Sequence, residues 1–121
     1  MSFIWGFPEE TLGDFYDTLH LFAYMTSIGF DTRLYPLNVI PGSPVYAKHF
    51  NELKPLEGFS DGETRNAYGY TDLSALQDPE FRSFVLSHPR LFTNYFYFES
   101  PDHRDKALLT SRVMSLEVLV G

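Results

Sequence analysis

The sequence predicts an α/β fold in which one βαβ unit is followed by a helical C-terminal tail. Two short apolar runs, at residues 2–7 and 32–39, have the length and composition of buried strands. Between them, over residues 9–28, apolar side chains recur at intervals of three and four residues, the period of an amphipathic helix. A strand, a helix and a strand joined by short connections predict two parallel strands with a right-handed crossover.

The first strand and the first helix are delimited by residues that end or start regular structure. Gly6 and Pro8 close the first apolar run, and Pro8 also suits the first turn of the helix that follows. Glu9, Glu10 and Asp14 are predicted to place negative charge at the positive end of the helix dipole. The side chains predicted to face the core share the helical period and are Leu12, Phe15, Tyr16, Leu19, Phe22 and Ala23.

The second predicted strand follows Gly29, which ends the helix. Pro36 has no backbone N–H to donate to a neighbouring strand, so the strand should end there or lie at a sheet edge. In the turn that follows, Ser43 is predicted to cap a short helix over residues 44–53, whose first residue is a proline.

The remainder of the chain, residues 54–121, is predicted to be a loop and a helical tail distinct from residues 1–53. A loop over residues 54–70 precedes a helix that is closed by a His-Pro dipeptide, and a final helix is predicted over residues 101–120. The side chains predicted to face the core are Phe81, Phe84 and Val85 in the first of these helices and Leu108, Leu109, Val113, Leu116 and Leu119 or Val120 in the second.

Composition argues against several classes of function. A length of 121 residues is in the range of a single domain. With 44% apolar and 17% aromatic residues, the composition differs from that of a disordered chain. The net charge of -7, without any run of Lys or Arg, argues against nucleic-acid binding. No apolar stretch reaches the roughly 20 residues that span a bilayer, so we expect no membrane partner and a cytoplasmic location.

The chain contains no cysteine, so by itself it cannot form a disulfide, an iron–sulfur cluster or a cysteine-ligated zinc site. Its four histidines lack the i, i+4 spacing that places two imidazoles on one helical face. No metal site is therefore predicted.

Three groups of polar or aromatic residues have structural interpretations. Glu9 and Glu10 could form an acid–base pair, but adjacent helical residues do not face each other, so capping is the preferred role. Residues 102–105, Asp-His-Arg-Asp, are predicted to be a solvated helix start. The aromatic residues 95–98 have no basic neighbours for base stacking and are predicted to pack in the core or at an interface.

Two segments resemble motifs of the radical S-adenosylmethionine (radical SAM) iron–sulfur enzymes. Residues 4–11, IWGFPEET, are similar to the Gly-Phe-Pro-Gly-Glu-Thr segment of that family, and residues 35–44, YPLNVIPGSP, are similar to its next strand and Pro-Gly-Thr-Pro turn. The two motifs occur in the family's order and are separated by about one helix. Residues 88–92, HPRLF, resemble the tail that follows the barrel in cobalamin-binding-type members.

The resemblance implies that residues 1–53 are a segment of a partial (β/α) barrel. In the family, the apolar residue two positions before the glycine packs on the adenine of S-adenosylmethionine; here it is Ile4, and Gly6 would let the backbone pass close to the ligand. Ile4 and Gly6 are therefore the candidate cofactor-binding residues. Alternatively, Ile4 is a core residue and Gly6 only ends the strand. Glu9 stands where the family usually has glycine, which changes how closely a ligand could approach the turn.

The family holds a 4Fe–4S cluster through three cysteines and cleaves S-adenosylmethionine reductively. The resemblance therefore implies a C-terminal fragment of such an oxidoreductase that forms part of the barrel wall, is inactive alone and pairs with a cysteine-bearing front half. The alternative is a stand-alone interaction module derived from that fold, which forms a homo-oligomer through its open strand edges and aromatic surface. We also expect Gly6→Val to leave the Tm of the chain nearly unchanged while weakening cofactor binding in a complete barrel.

Overall fold

The structure, a computed structural model, describes residues 1–59, 64–68 and 71–120, and the side chains of all these residues except 65, 66 and 115–120. Within this part of the chain, four α-helices and two two-stranded sheets form a mixed α/β fold, which confirms the predicted class. The elements are β1 Ser2–Trp5, α1 Leu12–Ser27, β2 Arg33–Pro36, α2 Pro44–His49, β3 Leu53–Pro55, α3 Pro79–Ser87, β4 Phe96–Phe98 and α4 His103–Val120. Short 3-10 segments lie in the connections between them, at Phe50–Glu52, Leu56–Phe59, Arg65–Tyr68, Leu73–Gln77 and Thr93–Tyr95.

The predicted βαβ arrangement is present, because β1 and β2 pair in parallel and α1 lies between them in sequence. Phe3 lies opposite Leu34 in the register, and Trp5 lies opposite Pro36. The strand β2 ends at Pro36, as its missing N–H predicted. The two strands form a sheet of their own, and the described residues do not close a barrel.

The start of α1 differs from the prediction. Thr11 is the N-cap: its hydroxyl accepts a hydrogen bond from the Asp14 N–H at 3.0 Å, and the Asp14 carboxylate accepts one from the Thr11 N–H at 3.2 Å. Asp14 lies in the first turn, as predicted. Glu9 and Glu10 instead lie in the turn before the helix, where the Glu10 N–H bonds back to the carbonyl of Phe7, so the predicted helical position of these two residues is wrong.

One face of α1 packs on the β1–β2 sheet. The ring of Phe15 lies 6.1 Å from that of Trp5, and the ring of Phe22 lies 5.9 Å from that of Phe3. The other residues predicted for this face are the partly buried Leu12 and Leu19 and the exposed Tyr16 and Ala23. Each exposed residue follows a buried phenylalanine by one position, about 100° around the helix, so the buried face is narrower than predicted.

The helix α2 is confirmed but is shorter than predicted. Ser43 is its N-cap and accepts a hydrogen bond from the Tyr46 N–H at 3.2 Å, and Pro44 occupies the first position. After the helix, the chain passes through one 3-10 turn and enters β3. This strand pairs antiparallel with β4, with Leu53 opposite Phe98. The sequence predicted neither this strand nor this pairing.

The helix α3 begins after its N-cap, Asp78, and ends before His88, where the His-Pro dipeptide predicted its end. Val85 is fully buried and Phe81 packs at the edge of the core. The prediction is wrong for Phe84, which is half exposed. Its ring packs against the rings of His88 and Phe92, with centroids 4.6 and 5.5 Å away.

The helix α4 turns a largely polar face toward the protein. Among its described side chains, the buried ones follow the helical period and are those of His103, Lys106, Ala107, Thr110 and Ser111. The predicted apolar stripe is displaced from this face, since Leu108, Leu109 and Val113 are only partly buried. The side chains of Leu116, Leu119 and Val120 lie outside the described residues.

Among the described residues, an apolar cluster joins the βαβ unit to the C-terminal part, running from Trp5 and Phe15 through Leu56 to Phe98 and Ala107. None of the described helices combines the length and the apolar character that crossing a bilayer requires.

Candidate functional site

The carboxyl ends of β1 and β2 lie at one edge of the parallel sheet, where α/β proteins most often bind ligands. Three parts of the chain meet at this edge. The β1–α1 turn leaves β1 there, α2 lies beside that turn, and the 3-10 turn Arg65–Tyr68 packs against both β2 and α4. Of the two candidate residues from the sequence, Ile4 lies in β1 and Gly6 follows directly after this strand.

Ile4 lies on the sheet face opposite α1. The alternation along β1 turns Phe3 and Trp5 toward the helix and Ile4 away from it. Ile4 is 45% exposed, and its cross-strand partner Tyr35 is 44% exposed. Ile4 is therefore not a core residue within the described part of the chain, and its side chain is available to a ligand or to another polypeptide.

Another group packs closely against Gly6, as its glycine identity suggested, but this group is the side chain of His103 and not a ligand. Its φ of 95° lies in the left-handed region, which side chains rarely adopt. A Cβ at this position would lie 3.4 Å from Cε1 of His103 and 3.9 Å from the Leu37 backbone nitrogen. The structure therefore contradicts the expectation that Gly6→Val would leave the stability of the chain nearly unchanged.

His103 is buried among aromatic rings, so the prediction of a solvated helix start is wrong for this residue. Its imidazole lies 4.4 Å from the ring of Tyr97 and 5.2 Å from that of Trp5, and its Nε2 shares a hydrogen bond of 2.5 Å with the Tyr68 hydroxyl. Burial, and then the charge of Lys106, lower the pKa of His103 to about 3. The ring is therefore neutral at pH 7.

Lys106 ties α4 to the β1–α1 turn. Its side chain is fully buried, and its Nζ donates to the backbone carbonyl of Glu10 at 2.6 Å and lies 3.2 Å from Oε1 of the same residue. That oxygen also accepts a hydrogen bond of 3.0 Å from the Gly6 N–H. We call these residues the buried polar cluster: Glu10, Tyr68, His103 and Lys106. They hold the tail helix against the carboxyl edge of the sheet.

The sequence gives only a weak signal for this cluster. His103 and Lys106 are one helical turn apart, and Thr110 continues the same face, so a polar stripe at helical spacing was visible. Such a stripe usually faces solvent. Only contact with Glu10, which is 96 residues away in sequence from Lys106, shows that it is buried.

A groove lies beside the buried polar cluster, between the β1–α1 turn and α2. It has a volume of about 230 Å³, and we call it the turn groove. Its lining comes from the β1–α1 turn and from α2 and consists of Phe7, Pro8, Glu9, Pro44, Val45, Lys48 and His49.

Glu9 forms the charged edge of the turn groove. Its Oε1 pairs with Nζ of Lys48 and lies 3.3 Å from Nε2 of His49. Hydrogen bonds from Lys48 and then from His49 hold the pKa of the Glu9 carboxyl below its usual value. Glu9 is thus ionised at neutral pH and accepts hydrogen bonds from both basic side chains. Nδ1 of His49 lies 3.7 Å from Oε2 of a second carboxylate, that of Glu52.

The residues of this chain do not fit an iron–sulfur cluster, because the sequence has no cysteine thiolate to ligate one. Across the described ranges, no group of three or more potential metal-ligating side chains is brought together.

The aromatic residues 95–98 pack as predicted, with Phe96 and Phe98 in the core.

Comparisons of the chain with protein-family models, with curated proteins and with solved structures gave no significant match.

Proposed function

We propose that this chain is the C-terminal barrel segment and tail of a radical SAM iron–sulfur oxidoreductase, and that it forms part of the barrel wall without catalysing a reaction alone. The proposal starts from the two sequence motifs, which lie at the carboxyl ends of β1 and β2. In a (β/α) barrel this is the end that carries the active site.

The observation that carries the proposal is the uncovered face of the parallel pair. Parallel sheets are normally covered on both faces, because their connecting helices pack there. Here α1 covers one face, while Ile4 and Tyr35 remain exposed on the other. Among the described residues, each strand also has one edge without a partner strand. A neighbouring part of a barrel would cover this face and these edges together.

In the proposed assembly, the cysteine-bearing front half supplies the ligands of the 4Fe–4S cluster. Ile4 would offer S-adenosylmethionine an apolar surface on the barrel side of the sheet. The side of Gly6 that a Cβ would occupy is already taken by His103, so any approach of the cofactor to Gly6 would have to come from elsewhere. Glu9, where the family usually has glycine, is held by Lys48 and His49 at the edge of the turn groove.

The first test is the DNA upstream of Met1. The proposal expects an in-frame segment, or a neighbouring reading frame, that encodes Cys-x-x-x-Cys-x-x-Cys. If neither exists, the fragment proposal fails. If one exists, Ile4→Asp in the complete protein should weaken S-adenosylmethionine binding about tenfold, equivalent to about 1.4 kcal/mol. Leu91→Asp, at a highly exposed apolar residue outside the sheet, is the matched control and should have no effect.

A second candidate function is a stand-alone module that self-associates through the uncovered sheet face. The same exposure of Ile4 and Tyr35 supports it. A second apolar surface lies on α1 and its C-cap, where Leu21, Tyr24 and Ile28 follow the helical period and are each more than half exposed. Apolar surface of this kind is typical of interaction sites.

Light scattering distinguishes the two surfaces. The module hypothesis expects the purified chain to exceed the monomer mass, Ile4→Glu to reduce it to the monomer, and Leu91→Glu to leave it unchanged. Dissociation by Tyr24→Glu but not by Ile4→Glu would assign self-association to α1 instead. A wild-type chain that stays monomeric at every concentration would contradict the module hypothesis.

A further inference from the structure

We propose that the turn groove binds a small carboxylate with an apolar body, which takes the place of the Glu9 side chain against Lys48 and His49. The proposal concerns a different surface from the uncovered sheet face. All of the groove's residues belong to the described part of this chain. It therefore does not rest on the barrel assembly, and either proposal can fail without the other.

The shape of the groove sets the size of the ligand. Its volume of about 230 Å³ is below the roughly 300 Å³ at which clefts for drug-sized ligands begin, so the ligand must be small. Phe7 and Pro8 on one side and Pro44 and Val45 on the other form apolar walls. Walls of this kind bind an apolar body, and the few polar groups at one end determine its orientation.

The polar end of the groove determines the charge of the ligand. Nζ of Lys48 and Nε2 of His49 converge on one atom, Oε1 of Glu9. Two nitrogen donors directed at one oxygen form a binding site for a carboxylate. In this structure the Glu9 carboxylate occupies that site. The imidazole is held in place, because only 15% of the His49 side chain is exposed and its ring packs on Phe98, with centroids 6.5 Å apart.

Glu9 can be displaced from this position. Its side chain is 63% exposed and that of Lys48 is 68% exposed, and ion pairs between such exposed groups contribute little to stability. Glu9 lies in the turn before α1, so its side chain can swing into solvent without disturbing the helix. A ligand carboxylate would then receive the same two donors and would also bury its apolar body between the prolines and Val45.

The experiment uses three probes with the same apolar body and different charge: 3-phenylpropionate, 3-phenylpropan-1-ol and 3-phenylpropylamine. Each is titrated into the full chain, and the Val45 methyl and Lys48 amide signals are followed by NMR. We expect saturable shifts with the carboxylate and binding at least about tenfold weaker for the alcohol and the amine. Equal binding of the alcohol would show a purely apolar groove, and tighter binding of the amine would show that Glu9 captures a cation. Either result overturns the proposal, as does the absence of saturation by about 10 mM carboxylate.

Two variants test the displacement directly. Glu9→Gln removes the internal competitor, so it should tighten binding of 3-phenylpropionate about tenfold, whereas Lys48→Gln should weaken it about tenfold. Lys54→Gln, at an exposed lysine in β3 outside the groove lining, is the matched control and should leave binding unchanged. All three positions are exposed, so the backbone amide spectrum should show an intact fold. Weaker binding of the carboxylate by Glu9→Gln would contradict the proposal.

Discussion

The two longest helices of the described chain are buried in chemically different ways. The inner face of α1 is aromatic, with Phe15 and Phe22 packed on the rings of the β1–β2 sheet. The inner face of α4 is largely polar, and its buried residues include His103 and Lys106. In both helices the buried residues recur at the helical period of about 3.6 residues. Only in α1 are these buried residues all apolar, so that the sequence pattern predicts which face is buried.

The difference shows what an amphipathic pattern can and cannot predict. An apolar stripe is buried because water excludes it, whatever it packs against. The burial of a polar stripe depends on particular partners, because an unpaired polar group in the interior is costly. For Lys106 the partner is Glu10, and for Nε2 of His103 it is the Tyr68 hydroxyl, whereas Nδ1 of His103 and Oγ1 of Thr110 are buried without a hydrogen-bond partner among the described residues.

Lys106→Met should destabilise the chain by about 3 to 5 kcal/mol, because it leaves the nearly buried Glu10 carboxylate without its cation. Urea unfolding measures the loss. Adding Glu10→Gln should recover part of it, since the uncompensated charge is then removed. Arg112→Met, at an exposed position on the same helix, is the control and should change stability little. A loss that is equal for Lys106→Met and Arg112→Met would show that the α4 face is not held by the ion pair.

Neutral His103 should make the chain sensitive to acid. Between pH 6.5 and about 3 the unfolded chain binds a proton at this residue and the folded chain does not, so stability falls as the pH falls through this window. The slope from this residue approaches about 1.4 kcal/mol per pH unit. The variant His103→Gln should lack this contribution to the pH dependence of stability. The carboxyl groups are the same in both proteins, so they should contribute equally to it. Parallel stability curves for wild type and variant from pH 7 to 4, measured by denaturant unfolding, would rule out a buried neutral imidazole.

Gly6→Val should destabilise the chain by about 1 to 3 kcal/mol from backbone strain, with a further loss from contact with His103. Gly29→Val is the matched control. Its φ of 99° is similarly strained, but a Cβ there would meet nothing within 4 Å. The difference in thermal unfolding between the two variants therefore measures the steric cost of the His103 ring. Equal losses would mean that the approach of α4 to Gly6 has no energetic consequence.

Thr11→Ala should destabilise α1 by about 1 kcal/mol through loss of the capping box. This is the smallest of the four effects, because the N-cap is exposed while the aromatic face of the helix remains intact. Asp17→Ala, an exposed residue of the same helix, is the control. A change in chemical denaturation no larger than that of the control would show that α1 depends on its Phe15 and Phe22 packing alone.

Local sequence patterns predicted the parts of the fold that depend on neighbouring residues. The strand β1, the helix α1, the end of β2 at Pro36 and the Ser43 cap of α2 all follow from composition, spacing or the missing proline N–H. The aromatic packing of residues 95–98 also followed from their chemistry. For the candidate site, the need for glycine at residue 6 was visible, but not the group that requires it.

Residue patterns alone were enough to predict an α/β chain, a parallel strand pair connected by one amphipathic helix, and the lack of a thiolate for a metal cluster. The pairing of β3 with β4, the position of His103 against Gly6 and the contact of Lys106 with Glu10 are known only from the folded structure. These contacts could not be predicted because the two partners of each are far apart along the chain. A capping or periodic pattern acts over a few residues, whereas these contacts join distant segments and exist only once whole elements have docked.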